Sequence, residues 1–121
     1  MLIKDFYTIQ SFNSDDNRIK ATVLLNPSHF VYKGHFPKQP VVPGVIQIQL
    51  LRETAEKALN QKLFISEVSS AKYLSILVPD GMPVLIELTI KAFEDGFKLS
   101  GIIQSKTVIF SKIKINVGYP D

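Results

Sequence analysis

Between Arg18 and Leu25 the chain alternates. Ile19, Ala21, Val23 and Leu25 fall on one face and Arg18, Lys20 and Thr22 on the other, with Leu24 the only break. A period of two predicts a half-buried strand. Asp5 to Phe12 reads as a strand before it, ended by the turn-rich run Asn13-Ser14-Asp15-Asp16-Asn17, so the two form a predicted hairpin. Asn26-Pro27-Ser28 closes the second strand, and a short segment around Phe30-Val31-Tyr32 follows. From Pro43 to Asn60 the period changes. Ile48, Leu51, Ala55, Ala58 and Leu59 recur at three- and four-residue spacing, which predicts a helix with an apolar stripe. Gln49, Arg52, Glu53 and Glu56 form a polar strip beside it. The first half of this helix is apolar nearly all round, as in a helix enclosed by a sheet or a partner.

After Asn60 the pattern returns to strands, predicted over 62–77, 83–93, 97–104 and 107–117. Turns fall at Pro79-Asp80-Gly81 and Glu94-Asp95-Gly96. Val84, Ile86, Leu88 and Ile90 alternate cleanly; in the last strand Val108, Phe110, Ile113 and Ile115 are expected to be buried, with a slip near Ser111 that reads as a bulge. The order is two strands, one long helix, then four strands in antiparallel meander. One helix must bury its stripe against one face of that sheet. The expected fold is α+β, a curved antiparallel sheet around one central helix, in a single domain spanning 1–121.

Composition narrows the function classes. At 121 residues and 45% hydrophobic content the chain can bury a real core. It has no cysteine, which excludes disulfides, thiolate metal sites and a cysteine nucleophile, and fits a reducing compartment. No apolar run is long enough for a membrane helix, and Met1-Leu2-Ile3-Lys4-Asp5 lacks signal-peptide character, so a cytoplasmic location is expected. The net charge of +3 comes from dispersed lysines without tryptophan, a poor match to a nucleic-acid surface. It suits an acidic protein partner or an anionic ligand equally well.

The candidate chemistry lies in Gly34-His35-Phe36-Pro37-Lys38-Gln39-Pro40-Val41-Val42-Pro43-Gly44-Val45. Each proline fixes φ and biases its predecessor toward extended geometry, so His35 is held rather than tethered. Pro43 and Gly44 then open the helix, whose first N–H groups lack internal partners and suit a carbonyl oxygen or an anion. A positioned imidazole beside a helix start is the material for acid–base work on a carbonyl compound.

Gly34-His35-Phe36-Pro37, Pro40 and Pro43-Gly44-Val45 resemble the signature of the hotdog-fold 3-hydroxyacyl-acyl-carrier-protein dehydratases, and the strand order extends the likeness over most of the chain. The resemblance implies a cytoplasmic, cofactor-free enzyme without a metal, built as a homodimer with active sites between subunits. Its substrate would be a 3-hydroxyacyl thioester on the phosphopantetheine arm of acyl carrier protein, dehydrated to the trans-2-enoyl thioester. By that likeness His35 is the base, and the N–H of Gly44 or Val45 holds the thioester oxygen. Phe36 and Pro43 border the substrate, and an acid stands five residues after the glycine. That position is Gln49. An amide exchanges no useful proton near neutral pH, and loss of a general acid costs about 10²–10⁴-fold in rate. The run Gln47-Ile48-Gln49 also resembles the branch associated with aryl-polyene-type pigment pathways rather than housekeeping fatty-acid synthesis.

The remaining candidates have plainer readings beside the functional ones. Glu53 is one turn beyond Gln49 and is the possible alternative acid; otherwise Glu53 and Glu56 are a solvated face, with Glu53 pairing Lys57. Lys33, Lys38 and Arg52 are either carrier-protein and phosphate contacts or ordinary surface cations. Phe36, Val41, Val42 and Ile46 either line an acyl tunnel or are core, and His29 is expected at the surface or as a cap. Two functions compete with the dehydratase: thioester hydrolysis, and a non-catalytic carrier-binding subunit paired with an active homologue that supplies the missing carboxylate.

Overall fold

A computed structural model describes residues 5–29, 32 and 40–119. His35, Lys33, Phe36 and Lys38 lie outside the described residues, as do Phe30 and Val31. The elements are β1 (Tyr7–Asp15), β2 (Arg18–Leu25), α1 (Gly44–Leu59), β3 (Phe64–Tyr73), β4 (Val84–Phe93), β5 (Gly96–Gln104) and β6 (Ile109–Gly118). They make one six-stranded antiparallel sheet with a single helix of 16 residues, the expected hotdog arrangement.

The β1–β2 hairpin forms, but β1 runs on to Asp15, which pairs with Arg18. Asp16, at φ 57, and Asn17 suffice for the turn. Asn13, Ser14 and Asp15 are exposed, so their polarity costs nothing in a strand. The four-strand meander does not form. The sheet order is β1-β2-β4-β5-β6-β3, so β4, β5 and β6 meander while β3 lies at the far edge against β6. Periodicity tells which face a strand buries and says nothing about its neighbours, and here α1 carries the chain past the middle strands.

The alternation in β2 and β4 is realised: Ile19, Ala21, Val23, Val84, Ile86 and Leu88 are all buried. The strand expected to reach Leu77 stops at Tyr73. The chain curls there, with the N–H groups of Leu74 and Ser75 both on the carbonyl of Phe110 (2.8 and 3.3 Å). The irregularity in β6 is present one residue from where the alternation suggested it. Ile103 pairs with Ser111 and Gln104 with Ile109, which leaves Phe110 as the extra residue. Ser111 itself is buried in line with Ile113 and Ile115, whereas Val108, expected inside, is exposed.

α1 seats on β3, β4 and β5. Leu51 and Ala55 are wholly buried, while Ile48, Ala58 and Leu59 pack partly buried against the core. The helix comes close to β5 at Gly101, where a Cβ would lie 2.7 Å from both δ-carbons of Leu51. A side chain there forces the Leu51 side chain to shift. The helix ends at Asn60 in the left-handed region (φ 53), its N–H on the carbonyl of Glu56.

Candidate active site

Pro43 stands at the N-cap with extended geometry (φ −60, ψ 151) and offers no side-chain cap. Its carbonyl takes the N–H of Ile46 and of Gln47 at 3.1 and 3.2 Å. The N–H groups of Gly44 and Val45 precede these and make no hydrogen bond among the described residues, so two donors stand at the helix start. The segment before them is tied down by the N–H of Val42 on the carbonyl of Leu77, 2.8 Å. The helix start and the curl after β3 are thereby held as two walls of one groove. It encloses about 670 Å³ and is lined by Val42, Gly44, Gln47, Tyr73, Leu74 and Ile76, among others.

Tyr73 is the residue that the sequence reading missed. A Cβ at Gly44 would lie 2.6 Å from Cζ and 2.7 Å from the hydroxyl oxygen of Tyr73, so the phenol occupies the space that a side chain at Gly44 would take. Partial burial pushes the Tyr73 phenol up from its ordinary value, which keeps it a hydrogen-bond donor at neutral pH. The available signal was an aromatic with a polar tip closing a largely polar strand, a weak one. Leu74 and Ile76 border the groove with their side chains largely exposed, Ile76 at 71%, and Val45 beside Gly44 is exposed too. One wall of this site is open.

Gln49 is half-buried, and its Oε1 accepts the Nε–H of Arg52 at 2.7 Å. The same guanidinium donates through Nη1 to Glu56 Oε2 (3.1 Å) and to the carbonyl of Leu63 (3.2 Å), while Glu56 Oε2 also accepts the N–H of Leu63 at 2.8 Å. Arginine has only donors, so the atom facing it must be the amide oxygen and the NH₂ of Gln49 turns away. Arg52 therefore is not a free surface cation waiting for a phosphate. It is tied into a network that fixes Gln49.

Glu53 also departs from its plainer reading. It is buried rather than solvated, and its Oε1 accepts the hydroxyl of Tyr7 at 2.9 Å. Burial first, then the bond to Glu53, raises the Tyr7 phenol well above its ordinary value. Lys57 does not pair Glu53 here; its ammonium lies 5.2 Å from the centroid of the Phe12 ring, and the ion pair on the helix is Arg52–Glu56. His29, expected at the surface, is 5% exposed and packs edge-on against Phe6, centroids 5.3 Å apart. Val42 and Ile46 are core, and Val41 is half-buried. Among the described residues no three of His, Asp and Glu converge as a metal site, and no helix is long and apolar enough to cross a membrane.

A family model described as ApeI-like, ApeI dehydratase, matches residues 11–112. The chain belongs to the ApeI-like dehydratase family. Its curated relatives include a 3-hydroxyacyl-[acyl-carrier-protein] dehydratase FabZ of Thermus thermophilus, 31% identical over 93 residues, covering 69% of this chain and 63% of the relative. That of Clostridium botulinum is 28% identical over 100 residues, covering 75% of this chain and 69% of the relative. The chain thus spans less than two thirds of the length of the Thermus relative. Among solved structures it is similar to the dehydratase heterocomplex ApeI:P from Xenorhabdus doucetiae, with a TM-score of 0.75 and 21% identity over 92% of this chain and 96% of that one. A hypothetical thioesterase from Streptococcus pneumoniae, solved with coenzyme A, has a TM-score of 0.66 and 10% identity over 96% and 90% of the two chains. These likenesses establish the hotdog fold, and the family match places the chain among its dehydratases.

Proposed function

We propose that the chain dehydrates 3-hydroxyacyl thioesters carried on acyl carrier protein, giving the trans-2-enoyl thioester and water. The observation that carries this is the helix start at Gly44 and Val45, whose N–H groups make no hydrogen bond among the described residues, at a mostly apolar groove lined by Gly44, in a member of a dehydratase family. Those donors suit a thioester oxygen on which enolate-like charge develops. The apolar lining suits an acyl chain or its pantetheine arm. A second copy of the chain would cover the exposed Val45, Leu74 and Ile76 and pair with the free edge of β3, completing a homodimer with the groove at its seam.

In this reading His35 takes the α-proton as the C2–H bond breaks. As imidazolium it then returns that proton to the hydroxyl while the C3–O bond breaks, and water leaves. Gln49 transfers no proton. Its NH₂, aimed by Arg52, holds the departing oxygen, and Arg52 acts as a positioning residue. The test is turnover by Gln49→Glu on a 3-hydroxybutyryl-carrier-protein substrate. A carboxylate beside Arg52 stays ionised and accepts where the amide donates, so activity should fall. A gain over wild type would overturn the donor role.

A second reading rests on the same residue. An amide where a proton donor is expected also fits a chain that works beside another hotdog subunit; the Xenorhabdus protein is named as a dehydratase heterocomplex. Activity appearing only on mixing with a second hotdog protein would favour it. Hydrolysis has less support, because no carboxylate is among the described residues lining the groove.

A further inference from the structure

We infer that the outer face of the sheet, remote from α1, docks an acidic helix of a partner protein. The strand registers place three rows of residues across this face. Lys20, Glu87, Ile102, Lys112 and Lys72 stand side by side in one row, and Arg18, Thr89, Ser100, Lys114 and Ser70 in the next. Lys91, Lys98, Asn116 and Glu67 make the third. With Asp15 of β1 opposite Arg18, the face carries seven cations against Asp15, Glu67 and Glu87, while the other seven cations of the sequence stand against eight anions. A charge of +3 that looked dispersed along the sequence is gathered on one surface.

This gathering costs stability. Lys72 faces Lys112 directly, and Lys91 faces Lys98. Like charges at directly opposed positions destabilise a sheet. None of the seven has an ion-pair partner among the described residues, and Glu67 is engaged by the amide of Asn116 at 2.9 Å. Glu87 stands opposite Lys20 and Asp15 opposite Arg18, but no anion directly opposes Lys72, Lys112, Lys91 or Lys98, so an anion from a partner would offset their repulsion.

The shape selects the class of anion. The face holds a trough of about 520 Å³ walled by Arg18, Lys20, Lys72, Glu87, Lys112 and Lys114 with Ser70, Thr89 and Ser100 between them. A concave trough fits a helix, about 10–12 Å across with its side chains, better than a planar bilayer. Ile102 is the apolar side chain directed outward in it, and exposed Phe93 lies outside the trough beside Lys91 and Lys98, a sparse apolar surface for insertion into lipid. No aromatic lines the trough to stack on nucleic-acid bases. Carboxylates on a helix, meeting lysine ammoniums and hydroxyls, are the complement.

The test measures fluorescence anisotropy of a labelled 20-residue helical Glu/Ala peptide titrated with the whole chain. A 20-nucleotide poly-uridine and vesicles containing one-third phosphatidylglycerol serve as rival probes. The inference expects salt-sensitive peptide binding, weakened about tenfold or more in Lys112→Glu/Lys114→Glu. The neutral Lys112→Ser/Lys114→Ser variant should bind weakly too, yet melt higher than wild type because the Lys72–Lys112 repulsion is gone. Turnover of a carrier-free N-acetylcysteamine thioester should stay unchanged in both variants, which separates this surface from the catalytic reading. Peptide binding indifferent to these substitutions, or tighter binding of the RNA or the vesicles, would overturn the inference.

Discussion

Gly44→Ala separates the two roles of the helix start, packing and chemistry. Alanine is the better helix former by about 1 kcal/mol inside a helix and by less at its first position. Against that gain, the new Cβ meets the Tyr73 ring 2.6 Å from Cζ and 2.7 Å from the hydroxyl. Neither distance is tolerable, so the ring must move. Tyr73 is 47% exposed at the end of an edge strand, so it can swing outward at the loss of part of its burial, about 1 kcal/mol. The two terms nearly cancel. Urea denaturation should therefore place Gly44→Ala within about 1 kcal/mol of wild type, or a few degrees in Tm. The displaced phenol crosses the groove mouth, so kcat/KM for the thioester should fall about tenfold or more, an expected loss of about 1.4 kcal/mol in transition-state binding. Adding Tyr73→Ala removes the obstruction and should restore part of that loss. A stability loss above about 3 kcal/mol would show that the ring cannot yield. Wild-type activity in Gly44→Ala would show that this groove is not where the substrate reacts.

Other perturbations bear on the remaining structure. Arg52→Met strips donors from Gln49, Glu56 and the Leu63 carbonyl and should cost about 2 kcal/mol by denaturation. It should also lower kcat more than it raises KM, with Arg52→Lys recovering stability better than activity. Gly101→Ala forces a Cβ to 2.7 Å from both Leu51 δ-carbons and should cost about 1–3 kcal/mol, relieved when combined with Leu51→Ala. Tyr7 has a raised phenol in the folded state, so the unfolded chain ionises first as pH climbs past about 10 and stability falls there. Tyr7→Phe should flatten that alkaline decline, seen as a smaller drop in Tm between pH 9 and 11.

The face that each strand buries was legible in the sequence, because alternation at Ile19–Leu25 and Val84–Ile90 maps directly onto one side of a sheet. The place of β3 was not, since its neighbour is chosen by the path of α1 over the sheet and not by its own pattern. The helix bounds were legible from Pro43 and Asn60, which are its caps. Polar residues on the helix were harder. Arg52 and Glu53 looked like a solvated strip because their partners, the Leu63 carbonyl and Tyr7, come from other elements. The basic face was hidden for the same reason: Lys72 and Lys112 are forty residues apart in sequence and side by side in the sheet.

The most direct test is dehydration of a 3-hydroxyacyl-carrier-protein substrate by the purified chain, followed by enoyl absorbance and by mass spectrometry of the carrier arm. The account predicts turnover by the chain alone that disappears in His35→Ala. No turnover at high enzyme concentration, with product formed only when a second hotdog protein is added, would contradict it.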